Sequence, residues 1–323
     1  MEYAPLGRSG LHLSRITLGC LGFGDPAVGR FPWILGEDEA RPVVAAALEA
    51  GITSFDTANS YSNGTSEEVT GKILKELVPR EDVVIATKVR DRMRPGPHGA
   101  GLSRKAILHE VDASLTRLGT DYIDLYQIHG LDDATPIEET MEALHDVVRA
   151  GKVRYIGASN LFAWEFAQAQ YTADRGGWTR FVSTQSHYNL LYREEEREMI
   201  PFCIDQGIGF LTWSSLARGW LVGEWDAPTA RSESDDFGRT LYGGESKTIL
   251  SRVAEVAARR EVPRAQVALA WLLAQPVVTS PIVGATKPDH IDDAVAAVEL
   301  ALDDDELQYL GDAYLPYGLT SYH

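Results

Sequence analysis

Four residue types suited to moving a proton fall at the ends of successive short apolar runs. The second run ends Phe55-Asp56-Thr57-Ala58-Asn59-Ser60-Tyr61, the third Thr87-Lys88, the fourth Gln127-Ile128-His129 and the fifth Ala158-Ser159-Asn160. An acid, a phenol, an amine and an imidazole are thereby delivered to one rim. A phenol near its ordinary pKa of about 10 is a poor acid or base at neutral pH. An ammonium in contact favours the phenolate, so Lys88 is expected to lower Tyr61. That needs about 3–4 kcal/mol of differential interaction, which one close, partly desolvated ion supplies. A carboxylate at Asp56 keeps the lysine charged and in place, and an imidazole at His129 holds a substrate oxygen. Each residue also has a plain structural reading: a turn cap for Asp56, a loop aromatic for Tyr61, a hydrogen-bonded core histidine for His129. Lys88 resists such a reading, because a lysine ending a buried strand must be paired or face water. All four plain readings together require four coincidences at one rim.

Such a rim needs strands that end side by side. Short β-rich runs at 16–18, 54–56, 83–88, 123–128, 153–158, 181–185, 209–213 and 278–283 alternate with amphipathic stretches. The helical stretches are 37–50, 66–77, 103–118, 137–150, 161–175, 194–206, 246–260 with 264–275, and 289–298. Continuous apolar runs such as Val83-Val84-Ile85-Ala86 fit strands buried on both faces, as in a parallel sheet covered by helices. Gly51, Gly119, Gly151 and Gly207 follow predicted helices, where a left-handed cap is wanted. Eight such units in 323 residues predict an α/β chain folded as one (β/α)8 TIM barrel spanning 1–323; a doubly wound sheet is the alternative. Residues 1–13, with a turn at Arg8-Ser9-Gly10, read as an N-terminal hairpin plugging the barrel. A long loop at 216–245, after the seventh strand, reads as a lid.

Composition narrows the function. The net charge of −17 argues against nucleic acid and against an anionic membrane surface. Two cysteines, Cys20 and Cys203, no signal-like start and no long apolar run indicate a cytoplasmic protein with reduced thiols. No Cys, His and carboxylate cluster shows metal-ligand spacing, and oligomeric state leaves no mark. Gly22-Phe23-Gly24-Asp25-Pro26-Ala27 fits a dinucleotide fingerprint by pattern. That motif needs a strand turning directly into a helix, however, and here Pro26 and Phe31-Pro32-Trp33 intervene. Phe23, Trp33 and Trp225 read better as apolar walls of a substrate pocket.

The segment Phe55 to Tyr61, Gly64-Thr65-Ser66-Glu67, Lys88, His129 and Gly157-Ala158-Ser159-Asn160 jointly resemble the signatures of the aldo-keto reductase superfamily. The resemblance runs over residues 3–313. It is closest to the bacterial branch related to potassium-channel β-subunits and sugar-phosphate or aryl-aldehyde reductases. It implies reduction of a small carbonyl compound by NADPH, with Tyr61 as general acid/base, Lys88 and Asp56 as its tuning pair, and His129 orienting the carbonyl. It further places Gly19, Cys20 and Asp56 against the cofactor. Ser159, Asn160 and Gln185 match positions that bind the carboxamide, and Trp213 the one that stacks on the nicotinamide. Ser214, Leu216 and Arg218, with Arg231 further along, match the pyrophosphate stretch; Gly284, Thr286, Lys287 and His290 match the 2′-phosphate segment. Two positions depart from the pattern. His290 stands where Arg or Gln is frequent, and Ala294 follows Asp293 where Asn is usual, which removes one adenine contact. A cofactor-binding regulatory barrel with little turnover is the alternative; the intact set of four favours the enzyme.

Overall fold

The computed structural model describes residues 1–29, 31–223, 240–242 and 246–316. Most of the 216–245 loop, with Trp225, Arg231 and the lid expected there, lies outside the described residues. The chain opens with an antiparallel hairpin of β1 (Tyr3–Pro5) and β2 (His12–Ser14). Eight parallel strands then close into a barrel: β3 (Thr17–Gly19), β4 (Ser54–Asp56), β5 (Val84–Val89), β6 (Ile123–Ile128), β7 (Val153–Ser159), β8 (Ser183–His187), β9 (Gly209–Trp213) and β10 (Val278–Gly284), with β10 pairing back onto β3. This is the predicted (β/α)8 barrel. Around it lie α1 (Glu37–Glu49), α2 (Thr65–Leu77), α3 (Arg104–Leu118), α4 (Ile137–Arg149), α5 (Ala163–Gly176), α6 (Met199–Gln206), α7 (Lys247–Arg260), α8 (Arg264–Leu273), α9 (Asp289–Glu299) and α10 (Asp304–Gly311). None of the described helices is long and apolar enough to cross a membrane.

The hairpin closes the N-terminal end of the barrel. Leu6 and Leu13 are buried against Ala86, Leu125, Leu211 and Ile282, a compact apolar floor. A larger core fills the space between the strands and the helices, from Leu18 and Phe55 through Val111, Leu144 and Phe166 to Val253 and Trp271. Helix ends obey local chemistry. Ser103 accepts from the Ala106 N–H at the start of α3, and Gly119 ends that helix at φ 63°. Gly207 ends α6 at φ 67°, so the chain turns straight into β9.

Element bounds shift by a residue or two from expectation, and three differences have a visible reason. The strand predicted from 181 begins at Ser183, because the Gln170 side chain takes both the N–H (3.0 Å) and the carbonyl (2.9 Å) of Phe181. The helix predicted over 194–206 splits into a 3₁₀ turn, Glu194–Glu196, and α6; Glu198 between them leaves helical geometry at φ −137°. Helix α10 was not anticipated. Asp303 caps it by accepting from the Glu306 N–H, and Arg260 holds Glu306 in place.

Strand register prepares the site. Asp56 pairs with Ala86, and Lys88 lies two residues beyond Ala86 on the same inward face. The lysine therefore sits one pleat above the aspartate on the adjacent strand. Gln127 pairs with Lys88, and Gln185 pairs with Ser159. Above the apolar floor, the barrel interior thus carries a polar layer of Asp56, Lys88, Gln127 and Gln185.

Candidate active site

The polar layer is closed upon itself. Lys88 is fully buried and donates to Asp56 Oδ1 at 2.5 Å, to the Thr57 carbonyl at 2.9 Å and to the Tyr61 hydroxyl at 3.4 Å. The other carboxylate oxygen of Asp56 accepts from Gln127 (3.1 Å) and Gln185 (2.8 Å). Burial alone would lower the Lys88 ammonium. Asp56 and Tyr61 outweigh that and hold it above its ordinary value, so the lysine stays charged.

Tyr61 departs from the sequence-based expectation. Its phenol is raised, because loss of water outweighs the nearby Lys88, and Asp56 and Asp91 add to the rise. The lysine does pull the phenol down, but from a starting point already pushed up by burial. The turn after Tyr61 is tight: Ser62 and Asn63 both adopt left-handed backbone, at φ 47° and 53°. The phenol ring lies beside that of His129, 5.8 Å away and edge to face.

His129 has a partner that sequence reading overlooked. Asp91 lies 3.0 Å from its Nδ1, within ion-pair range but not aligned as a hydrogen bond. Burial would raise the Asp91 carboxyl. The His129 ring, the Ser60 hydroxyl (3.0 Å) and Arg90 (3.3 Å) outweigh it and hold the carboxyl at about 2.

From Tyr61 and His129 a single cleft of about 980 Å³ runs across the ends of β7 to β10. Asp56, Ser159, Asn160, Gln185 and Trp213 line its inner part. Ser159 donates to the Gln185 carbonyl at 2.9 Å, and the Trp213 indole N–H donates to Asn160 Oδ1 at 2.8 Å. Asn160 reaches this position in left-handed backbone (φ 58°), which asparagine tolerates better than most residues. Gly19 pairs with Gly284 across β3 and β10, so two strand ends carry no side chain into the cleft. Beyond them come Ser214, Leu216 and Arg218. Ser214, Ala217 and Arg218 are all left-handed, a concentration of non-glycine strain typical of binding loops. The far end gathers Arg264, Gly284, Thr286, Lys287 and His290, with Asp293 the acid among them. In a chain of net charge −17, a cleft end that brings Arg264 and Lys287 together suits an anionic ligand.

Most sequence-predicted residues thus line one cleft; Lys88 lies behind it, buried and reaching Tyr61, and two others join the core. Cys20 is fully buried and points its thiol at the Leu18 carbonyl, 3.6 Å away, where burial pushes the thiol up to about 12. It follows Gly19 on the opposite face, so Gly19 lines the cleft and Cys20 joins the core. Phe23 is also fully buried and bridges to Leu35 by backbone; Trp33, stacked on Phe31 at 4.6 Å, forms the cleft wall instead. Trp225 and Arg231 lie outside the described residues. Sequence reading missed Gln127, Asp91, Leu21, Ser215 and Arg264. Gln127 alone carried a signal, sitting two residues before His129 on the same strand face.

The family model for the Aldo/keto reductase family matches residues 15–314. The chain is 46% identical to a versiconal hemiacetal acetate reductase of Aspergillus parasiticus, covering 98% of each chain. It is 44% identical to a Schizosaccharomyces pombe protein named as an aryl-alcohol dehydrogenase, over 97% of this chain and 96% of that one. It is 42% identical to an aldo-keto reductase of Alternaria alternata, over 97% and 91%. With a barrel closed around an Asp-Tyr-Lys-His set and a family match across nearly its whole length, the chain belongs to the aldo/keto reductase family, oxidoreductases that act on carbonyl and alcohol groups with a nicotinamide cofactor.

Proposed function

We propose that the protein is an NADPH-dependent reductase of a small aldehyde or ketone, with Tyr61 as its general acid/base. One observation carries this reading. The Asp56, Lys88, Tyr61 and His129 cluster closes one end of a cleft whose other end collects Arg264, Lys287 and His290. A dinucleotide phosphate needs both ends: a proton-handling end for chemistry and a cationic end for its phosphates. The residues between them fit such a ligand, with amides at Asn160 and Gln185, an indole at Trp213 and side-chain-free strand ends at Gly19 and Gly284.

The bound nicotinamide would supply or accept the hydride. This chain's own residues handle the proton and the substrate. Tyr61, its phenol raised by burial, stays protonated at neutral pH and offers its hydroxyl hydrogen to a carbonyl oxygen. Lys88, charged and shielded from water, opposes part of the cost of leaving a phenolate behind. His129 faces Tyr61 across the pocket and holds the same oxygen. Leu21 and Trp33 supply an apolar wall, which suits an aryl compound such as the name of one relative suggests. Lys287, with Thr286 and His290, takes the 2′-phosphate. The net charge of −17 speaks against nucleic-acid and anionic-membrane partners, and two free, buried cysteines fit a cytoplasmic protein.

The test is direct. NADPH should quench the protein's tryptophan fluorescence, and its oxidation should follow when a panel of aromatic and aliphatic aldehydes is added. Cofactor binding without oxidation by any aldehyde would favour a regulatory barrel. No binding at all would overturn the cofactor assignment.

A further inference from the structure

Trp213 has two faces, and only one meets the cleft. Its other face stacks on His187 at 4.3 Å and 13°, and His187 stacks in turn on Tyr192 at 4.2 Å and 10°. Strand pairing makes the column, because His187 is the register partner of Trp213 on β8 and β9. The imidazole is held at its edge as well: its Nε2 lies 2.8 Å from the Tyr242 hydroxyl and 3.3 Å from the Asn189 amide. Asn189 is fully buried and ties the same assembly to the cleft wall, donating to the Ser214 carbonyl at 2.9 Å and to the Tyr242 hydroxyl at 3.0 Å. Its Oδ1 accepts from the Tyr192 N–H at 3.1 Å, which fixes the far ring of the column.

From this arrangement we infer that His187 is a positioning residue for the reaction: the His187–Tyr192 column sets the plane of Trp213, and so the surface on which the nicotinamide ring docks. The inference rests on the reading of Trp213 as that surface. An indole at the mouth of a cleft would otherwise be free to swing, and a docking ring would have to immobilise it. Here the indole is fixed twice, at its N–H by Asn160 and across its face by His187. Burial, and then the charge of Arg218, keep the imidazole at about 3, so the column stays uncharged at neutral pH and does not repel a cationic nicotinamide. Parallel aromatic pairs at these separations also contribute attraction beyond the area they bury.

Four proteins test it: the wild type, His187→Leu, His187→Phe and Trp213→Ala. NADPH dissociation constants come from fluorescence quenching, and single-turnover NADPH oxidation is followed with an aldehyde that the wild type reduces. His187→Leu should weaken NADPH about 3- to 10-fold, the size of one ring contact. It should also slow the single turnover by about 10-fold or more, as small misplacements do. His187→Phe restores the stack without the hydrogen bond and should recover both to within about 2-fold. A bulk-packing role for His187 would not give this split, since leucine fills the same space. If His187→Leu matches the wild type while Trp213→Ala is impaired, the inference fails and Trp213 keeps its role. If Trp213→Ala binds and turns over as the wild type does, the Trp213 reading fails first. A folded His187→Phe no better than His187→Leu also overturns the column. Should His187→Leu not fold, Tyr192→Leu removes the far ring alone and must slow the single turnover about 2- to 3-fold for the inference to stand.

Discussion

The two ends of the cleft are built on different principles. At the proton-handling end, Asp56, Lys88, Gln127 and Gln185 project inward from barrel strands, are almost wholly buried, and meet at Asp56 over 2.5–3.1 Å. At the cationic end, Thr286, Lys287 and His290 sit exposed on the segment after β10, where the Thr286 N–H donates to the His290 ring at 3.3 Å. Charges without water interact strongly and tolerate little displacement; exposed charges are screened by salt and replaceable. The inner end should therefore govern rate and folding, and the outer end affinity alone.

The largest effect should follow from removing one oxygen at the inner end. Tyr61→Phe is expected to leave NADPH binding nearly intact and to lower kcat by about 10²–10⁴-fold, the usual contribution of a general acid/base. Retention of more than about a tenth of wild-type kcat would remove Tyr61 from that role.

Next comes Lys88→Met. It strands the Asp56 carboxylate in the barrel with only two amides for company, and should cost about 3–5 kcal/mol in urea unfolding. A loss below about 1 kcal/mol would mean that water reaches this layer, and the contrast between the two ends would collapse.

A smaller effect, on the acid side, sharpens the comparison at the ring column. The folded His187 titrates at about 3 against an ordinary 6.5. As pH falls through that window the unfolded chain takes up a proton that the buried ring refuses, so stability falls with pH. In His187→Phe this contribution disappears, and unfolding measured from pH 7 to pH 4 should show a shallower decline. An unchanged slope would place the ring in contact with water.

The smallest effect belongs to the outer end. Lys287→Ala should weaken NADPH about 10-fold, the low side of a charge-assisted contact because the lysine is exposed, with NADH and kcat little altered. The proposed preference for NADPH over NADH should also shrink as salt is raised. Equal losses for the two cofactors would show that the phosphate lies elsewhere.

Much of this was legible in the chain itself. Alternating β-rich runs and amphipathic stretches are local periodicities, so all eight strands and nine of the ten helices described here could be read within a few residues. Asp56, Tyr61, Lys88 and His129 were legible because a barrel strand delivers whatever stands at its end to the rim. Helix α10 was missed because it follows no strand and depends on the Asp303 cap and on Arg260 arriving from α7.

Other features were decided only by the closed barrel. Cys20 and Phe23 sit among rim residues in sequence, yet the turn after β3 sends both into the core. Arg264 reaches the cleft because α8 happens to begin there, which no spacing announces. Gln127 serves Asp56 because β5, the strand of Lys88, holds β4 and β6 in register on either side, and His187 supports Trp213 because β8 and β9 pair directly. The Tyr61 phenol shows the division most sharply. Residue types identified a lysine able to lower it, but whether it rises or falls is a balance between one ion and lost water. The ion can be named from the sequence. The amount of water lost belongs to the fold, because it is set by side chains that come from distant parts of the chain.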